Sequence, residues 1–551
     1  DADNWKDVKL GASLSANTAE RVFETVAGKD GARLIDALAR PVHEHEAQRV
    51  RWENGYRDRL RGMMKGTTRE ESHYTAMKNY AEYLERAGMD GSKLRTAMND
   101  YLQKNRKKID MGRVEALENA LISLTQEMHP EVNETRIRNG YTPLEYTSRY
   151  LPALHRADEG GAAARVLRKM FGIETRADAL PTEIAGTTAG RRPGQPWQPF
   201  AMERTGDTGK WNPKDFDAVR AVDEYITGAG REIFFTDDIQ NWRTFEERLR
   251  YRFSDEGTRA ELDSIQTDPN LDAEQKLAEK TKLWERDQYS LPHFPTWLRK
   301  YADTLAGKKQ LIDRAAEDEL SRGFYRTVND VEGKIAVNLT GFNISTALSN
   351  LVALQQGGAE LSAPAMARAA LDYAGELAGD TSFRDRSTFL TNRKGTERVY
   401  KTGLQNVQDI GGKPAQWADD FTSGILTRAR YYDNIRRGMA DAQAMQDADG
   451  WAARVMGDRS TSARPLIFES KNPLVKVVTM FQLEPANNFA HWFHDLPLEK
   501  GAAGAAAVLA KLFLSAYLFN DGVEKMTGNR PAPDAIGMVN DFVGRVAGWR
   551  L

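Results

Sequence analysis

The chain has 551 residues, with 77 Lys and Arg against 79 Asp and Glu, a formal charge of −2. At roughly 100–200 residues per domain this length predicts several units, and the balanced charge excludes a polybasic nucleic-acid-wrapping chain or an acidic tail. The absence of cysteine excludes disulfide frameworks, zinc–cysteine and iron–sulfur centres and thiol nucleophiles.

The chain opens on Asp1, without a charged start and apolar run of the secretory kind, and is expected to be a processed product or an excised piece of something longer. Helical periodicity recurs along it, whereas sustained alternation of β-branched residues is rare. Thr67 with Glu70 reads as a capping box, Tyr74, Met77, Ala81 and Leu84 share one apolar face, and Gly88 suits a left-handed helix end. Val114, Leu117, Leu121, Leu124 and Met128 form a second stripe, which Pro130 is expected to close. Phe216, Val219, Val222, Ile226 and Ala229 form a third. Thr236, ahead of Asp237 and Asp238, is expected to start a fourth helix, with Ile239, Trp242, Phe245, Leu249 and Phe253 on its face.

From Leu180 to Pro213 the density of Gly and Pro forbids a continuous helix, and Trp197, Phe200 and Trp211 favour an arm laid across another surface. A weaker break falls at Gly411-Gly412-Lys413-Pro414. The fold class predicted is mainly α, an elongated assembly of helical subdomains with little or no β-sheet. The division expected is an N-terminal helical domain over 1–179, a linker or arm over 180–213, a middle helical domain over 214–410 and a C-terminal helical domain over 411–551. Short connections around Gly88–Ser92 and Gly457–Ser460 favour antiparallel helical neighbours.

Few residues point to chemistry. Gly206-Asp207-Thr208-Gly209-Lys210 lacks the spacing and the Ser or Thr of a phosphate loop and reads as a turn. His43-Glu44-His45-Glu46 does not have the i,i+4 spacing of a helical zinc pair. His491, His494 and Asp495, with Glu484 upstream, could hold a metal, against the plainer reading of histidines packed beside Trp492 and Phe493. Glu71-Ser72 and Glu469-Ser470 carry the Glu-Ser pair of lytic transglycosylases without the stretch that accompanies it. No cofactor, catalytic group or metal site is assigned. Lys104, Arg106, Lys107 and Lys108 form one basic cluster. Arg428, Arg430, Arg436 and Arg437, interleaved with Tyr431 and Tyr432, are candidate nucleic-acid contacts. Asp419, Asp420, Asp433 and Asp441 offer the alternative, a solvated helix with internal ion pairs.

Two segments bear on membranes. Gly501 to Phe519 has Lys511 as its only charge and approaches the roughly 20 residues that span a bilayer. A central Lys costs roughly 2.5–3.5 kcal/mol on insertion. Its apolar positions are Val508, Leu512, Leu514 and Leu518. Ile335 to Ala359 is uncharged, with Ile335, Leu339, Ile344, Leu348 and Val352 among Asn, Thr, Ser and Gln that suit helix contacts. Both read either as buried helices or as segments that leave water after rearrangement.

From Leu291 to Ile536 a series of blocks carries a resemblance. Leu305-Ala306-Gly307-Lys308-Lys309 leads to Asp313-Arg314 and Glu317. Then come Asn343-Ile344-Ser345-Thr346-Ala347-Leu348-Ser349-Asn350, Phe389-Leu390-Thr391-Asn392-Arg393-Lys394-Gly395 and Met456-Gly457-Asp458-Arg459-Ser460. Asn472-Pro473-Leu474, Met480-Phe481-Gln482-Leu483-Glu484 and Thr527-Gly528-Asn529-Arg530-Pro531 complete it. This part resembles the C-terminal helical region of the large polyvalent proteins encoded by bacteriophages and conjugative elements, while the first half is only loosely similar. The resemblance implies a helical module of a much larger mobile-element protein and carries no catalytic residues. By analogy of protein type with phage internal virion (ejection) proteins, it implies a non-enzymatic structural or delivery role. The partners it implies are other virion or mobile-element proteins and further copies of the chain, with DNA, and a membrane after rearrangement. The location it implies is the virion interior or the cytoplasm of the producing bacterium, with delivery to a host envelope or cytoplasm. The alternative is an enzyme or accessory domain of a larger phage polyprotein acting on cell wall or nucleic acid.

Overall fold

The computed structural model describes residues 17–152, 216–307, 354–466 and 491–527, apart from single positions and short runs inside these stretches. Helices take up 83% of the described residues, and no strand occurs among them. The fold is all-α. The Leu180–Pro213 arm, with its glycine-lysine turn, lies outside the described residues.

The first body is built from α1 (Ala19–Ala27), α2 (Gly31–Leu34), a π-helical turn (Ile35–Ala39) and α3 (Arg40–Met63). It continues through α4 (Arg69–Arg86), α5 (Ser92–Lys104) and α6 (Met111–Arg138). Tyr74, Met77, Ala81 and Leu84 of α4 are all buried, against Leu94 and Met98 of α5. The capping box at the start of α4 is set one residue later than its sequence suggests. The Glu71 backbone N–H donates to Thr68 Oγ1 at 3.2 Å, and the Thr68 N–H donates to Glu71 Oε2 at 2.7 Å. Glu70 is left free to meet Lys108 at 2.6 Å. Thr68→Ala is therefore expected to lower stability by about 1 kcal/mol in urea unfolding. Thr67→Ala should stay within about 0.5 kcal/mol of wild type.

Helix α6 is capped by Asp110, whose side chain accepts from the Arg113 N–H at 3.0 Å. Pro130 does not close it: the helix runs on to Arg138. A proline inside a helix costs roughly 3 kcal/mol. Here apolar contact on both sides offsets it, since Leu121, Leu124 and Met128 before it and Val132 after it lie in one core with Leu60. The helix ends at Gly140, whose φ of +69° lets the Tyr141 N–H reach back to the Arg136 carbonyl at 2.8 Å.

Beyond the arm, α7 (Ala218–Arg252) is one continuous helix, so the third and fourth predicted helices are a single element. Thr236 is not a cap; its hydroxyl donates back to the Glu232 carbonyl inside the helix. Helices α8 (Asp255–Thr267), α9 (Ala273–Gln288) and α10 (His293–Leu305) follow. Phe253 lies outside the described residues. Two cores straddle the arm. Val219, Val222 and Ile226 of α7 pack with Leu117, Leu121 and Leu124 of α6. Trp242 of α7 packs with Phe23 of α1 and with Trp297 and Tyr301 of α10. The stretches before 180 and after 213 therefore share cores rather than forming separate bodies.

The remaining described helices are α11 (Ala363–Leu377), α12 (Ser382–Arg386), α13 (Thr388–Lys394), α14 (Gly403–Arg436), α15 (Asp441–Met456) and α16 (Leu496–Thr527). Helix α14 runs unbroken across Gly411–Pro414, so the boundary drawn between 410 and 411 falls inside an element. Helices α11, α14 and α15 enclose a core of Tyr373, Phe389, Leu426, Trp451 and Val455. Tyr373 sits so close to Gly424 that an added Cβ there would meet its ring at 2.5 Å, so Gly424 sets the approach of α11 to α14. Helices α12 and α13 join this group to α3: the Asn392 amide donates to the His43 carbonyl at 3.2 Å, and Arg51 donates to the Asp385 carbonyl at 2.7 Å.

Candidate functional sites

Helix α14 carries the predicted nucleic-acid contacts, and its packing divides them. Arg428 is completely buried. Its Nε donates to Asp372 at 2.8 Å, it pairs with Glu376, and its guanidinium lies over the Phe383 ring at 4.5 Å. Arg430 donates to Asp447 at 2.7 Å and to Glu499 at 3.1 Å. Both are committed to carboxylates inside the protein, which corrects their reading as phosphate contacts. Tyr431 donates its hydroxyl to Asp441 at 2.5 Å, and Tyr432 is covered by Arg368, 4.5 Å from the ring centre. Arg436 and Arg437 remain exposed at the end of the helix, Arg437 paired with Asp433 at 2.6 Å. Lys104, Arg106, Lys107 and Lys108 are exposed between α5 and α6.

Glu71 is fully buried at the capping box. One oxygen accepts from the Asp110 N–H and from Arg113 Nε, both at 2.9 Å. Burial opposes ionisation, but the donors from Thr68, Asp110 and Arg113 prevail and hold the carboxyl below the ordinary value. A general acid needs the opposite shift and access to substrate. Ser72 is equally engaged, donating to Asp217 at 2.7 Å and accepting from the Val219 N–H at 3.1 Å. Glu469 and Ser470 lie outside the described residues. Glu232 has the mirror-image electrostatics: burial beside Arg136 pushes it up to about 7, but no edge of its side chain reaches solvent.

The histidines are distributed among ion pairs. His45 Nδ1 lies 2.8 Å from Asp238 Oδ2, a contact that raises its pKa. His43 lies 3.7 Å from Glu20. Among the described residues no group of three His, Cys, Asp or Glu is arranged to hold a metal. Glu484 lies outside them, as does the His494 side chain. His491 opens a π-helical turn (His491–Asp495) ahead of α16 and is buried. Its Nε2 is 2.9 Å from Glu360 Oε1, and its Nδ1 is 3.5 Å from Asp495 Oδ2. Asp495 accepts from Arg21 of α1 at 2.8 Å, and the Trp451 indole of α15 donates to Glu360 at 3.0 Å. Sequence reasoning singled out His491 and Asp495 but missed Glu360 and Arg21. The available signal was Glu360 itself, the first charge after the uncharged Ile335–Ala359 run.

Of the two segments that bear on membranes, the first has Ile335, Leu339, Ile344, Leu348 and Val352 outside the described residues. The second begins at a kink: Gly501, with φ 71° and ψ 168°, interrupts α16. Beyond the kink Ala505, Val508 and Leu512 are buried with Ala359, Trp492 and Leu496. Ala502, Ala503, Ala506, Ala507, Ala510, Lys511 and Leu514 are exposed. Leu518 lies on the helix, with its side chain outside the described residues. Among the described residues no helix is long and apolar enough to cross a membrane.

No known protein family, curated protein or solved structure matches the chain.

Proposed function

We propose that the chain is a non-enzymatic structural and delivery protein of a bacteriophage or related mobile element, an all-helical module that travels with other virion proteins and engages a membrane interface through α16 on release. The observation that carries this reading is the lopsided docking of α16. Among the described residues Ala505, Val508 and Leu512 seat it on Ala359, Trp492 and Leu496, with Leu509 partly buried beside them, while its alanine-rich face and Leu514 are in water. A helix with such an apolar stripe, and with Lys511 as the one charge between Gly501 and Phe519, suits a bilayer surface better than a span. The blocks between Leu291 and Ile536 supply the phage side of the reading. The rival, an enzyme acting on cell wall or nucleic acid, draws on Glu71, Glu469, the group of His491, His494 and Asp495, and the cluster of Arg428, Arg430, Arg436 and Arg437. Glu71, Arg428 and Arg430 are consumed in internal pairing, while Glu469 and the His494 side chain lie outside the described residues.

The test is dye release from anionic and zwitterionic vesicles across a pH series, together with mass spectrometry of purified particles. Leakage by the wild-type chain is expected. Leu514→Glu removes an exposed side chain whose burial in lipid contributes roughly 1.5–3 kcal/mol, so vesicle binding should weaken about tenfold or more. No leakage at any pH, with the protein missing from particles, rejects the proposal.

A further inference from the structure

We propose that the α3–α4 and α5–α6 connections together form a site for the phosphate backbone of a nucleic-acid duplex, built on Lys65, Arg69, Lys104, Arg106 and Lys107. Only the last three are close in the sequence; the fold brings Lys65 and Arg69 to them. The Thr68 hydroxyl donates to the Lys108 carbonyl at 2.9 Å, and Lys108 Nζ meets Glu70 at 2.6 Å. Glu71 accepts from the Asp110 N–H and from Arg113 Nε, both at 2.9 Å. These bonds pin the start of α4 to the start of α6. Burial raises the pKa of the Tyr101 hydroxyl and Arg69 opposes the rise, which sets Arg69 beside the last turn of α5. Lys65 stands three residues before Thr68, so at most about 11 Å of chain separates them.

Residues 65–71 and 104–113 carry seven cations against three acids, on a chain whose total is −2. Each of the three acids is engaged within the cluster. Glu70 holds Lys108, Glu71 holds Arg113, and Asp110 accepts from the Arg113 N–H. The other five cations are exposed and make no ion pair among the described residues. Asp100, exposed one turn before Lys104, does not pair with it either. Elsewhere on the same body exposed cations do find carboxylates: Arg59 meets Glu127, and Arg138 meets Asp237. Like charges gathered without acids repel one another and collect counter-ions, and a polyanion that displaces those ions binds for that reason.

The chemistry of the patch selects the polyanion. Residues 65–71 and 104–113 contain no aromatic side chain, and Met111 is their one exposed large apolar side chain. A single strand is held by rings that stack on its bases. A lipid surface takes an apolar face together with cations. Guanidinium forks at Arg69 and Arg106 among the point charges of Lys65, Lys104 and Lys107 suit phosphate oxygens. Contacts to the backbone alone carry no sequence information, so binding is expected to be independent of sequence.

The test is fluorescence anisotropy of a labelled DNA duplex with the full chain, over a salt series. Five phosphate contacts give a slope of about −4.5 in log affinity against log salt, a loss of roughly 250–500-fold between about 50 and about 200 mM. Lys65→Gln with Arg69→Gln should weaken binding about tenfold or more at the low-salt end and flatten the slope by about 2. Lys104→Gln, Arg106→Gln and Lys107→Gln together should flatten it by about 3. Circular dichroism and the urea midpoint should match wild type in both variants, since these side chains hold no internal partner. Arg299→Gln with Lys300→Gln, an equal loss of exposed charge on α10, should stay within about twofold of wild type. No duplex binding, or an unchanged slope in Lys65→Gln with Arg69→Gln, overturns the site. So does a loss in the α10 variant as large as in the patch variants. A single strand of the same length that binds more tightly, or patch variants that lose phosphatidylserine vesicles but keep the duplex, assigns the cations to another polyanion and also overturns it. The site does not rest on the membrane reading of α16: absent vesicle leakage would sink that reading and leave this one standing.

Discussion

Arg428→Ala should destabilise the protein by about 3–5 kcal/mol, read as a shifted midpoint in urea unfolding. The guanidinium is 1% exposed and is the shared partner of Asp372 and Glu376 on α11. It also donates to the Gly424 carbonyl at 3.1 Å and lies over Phe383 and Tyr373. Truncation removes that packing and takes from Glu376, which is 11% exposed, one of its two guanidinium partners among the described residues; the pairing with Arg384 stays. Asp372 is 36% exposed and rehydrates, which draws the cost toward the lower end of the range. Arg436→Ala, on the exposed end of the same helix, should stay within about 0.5 kcal/mol of wild type. A mild Arg428→Ala combined with a loss of nucleic-acid affinity would return this residue to a binding role.

The contrast shows why the charge pattern of α14 was only half readable. The flanking acids suggested a solvated helix paired within itself; Asp433 does pair with Arg437, but Arg428 and Arg430 are buried. The acids that hold Arg428 lie 56 and 52 positions upstream on another helix, and those that hold Arg430 lie 17 and 69 positions downstream. Asp419 and Asp441 are meanwhile taken by Arg393 and Arg386. Local spacing reports neighbours on one helix surface; it carries no record of which foreign helix supplies a counter-ion. The same limit hid Glu360 and Arg21 from any reading of His491.

Apolar spacing was far more legible. The stripe residues of α4, α6 and the first part of α7, from Tyr74 to Ala229, are buried apart from the half-buried Phe216. The errors fell on punctuation. Pro130 and Thr236 carry local preferences against mid-helix positions, but both lie in helices whose flanks are deeply packed, and tertiary burial outweighs a local cost of a few kcal/mol. The Gly411–Pro414 break failed in the same way within α14. Thr68 took the cap from Thr67 because Glu71, rather than Glu70, meets the Asp110 N–H and Arg113.

Trp242→Ala should cost about 3–5 kcal/mol, and toward the upper end. The indole is fully buried, 5.4 Å from the Phe23 ring, 5.9 Å from Trp297 and stacked on Tyr301 at 4.2 Å. Its N–H also donates to the Leu38 carbonyl at 2.9 Å, inside the π-helical turn where backbone partners are irregular. Alanine leaves a cavity among three aromatic rings and removes the indole donor from the Leu38 carbonyl. Trp242→Phe restores much of the volume but not the donor, and should cost about 1–3 kcal/mol. The shape of the loss tests the architecture as well as its size. Phe23 precedes the Leu180–Pro213 arm, whereas Trp242, Trp297 and Tyr301 follow it, and one core contains them all. In calorimetry Trp242→Ala should therefore lower the transition of both flanks together. A variant that melted one flank early and left the other at its wild-type temperature would mean that the arm divides independent domains after all.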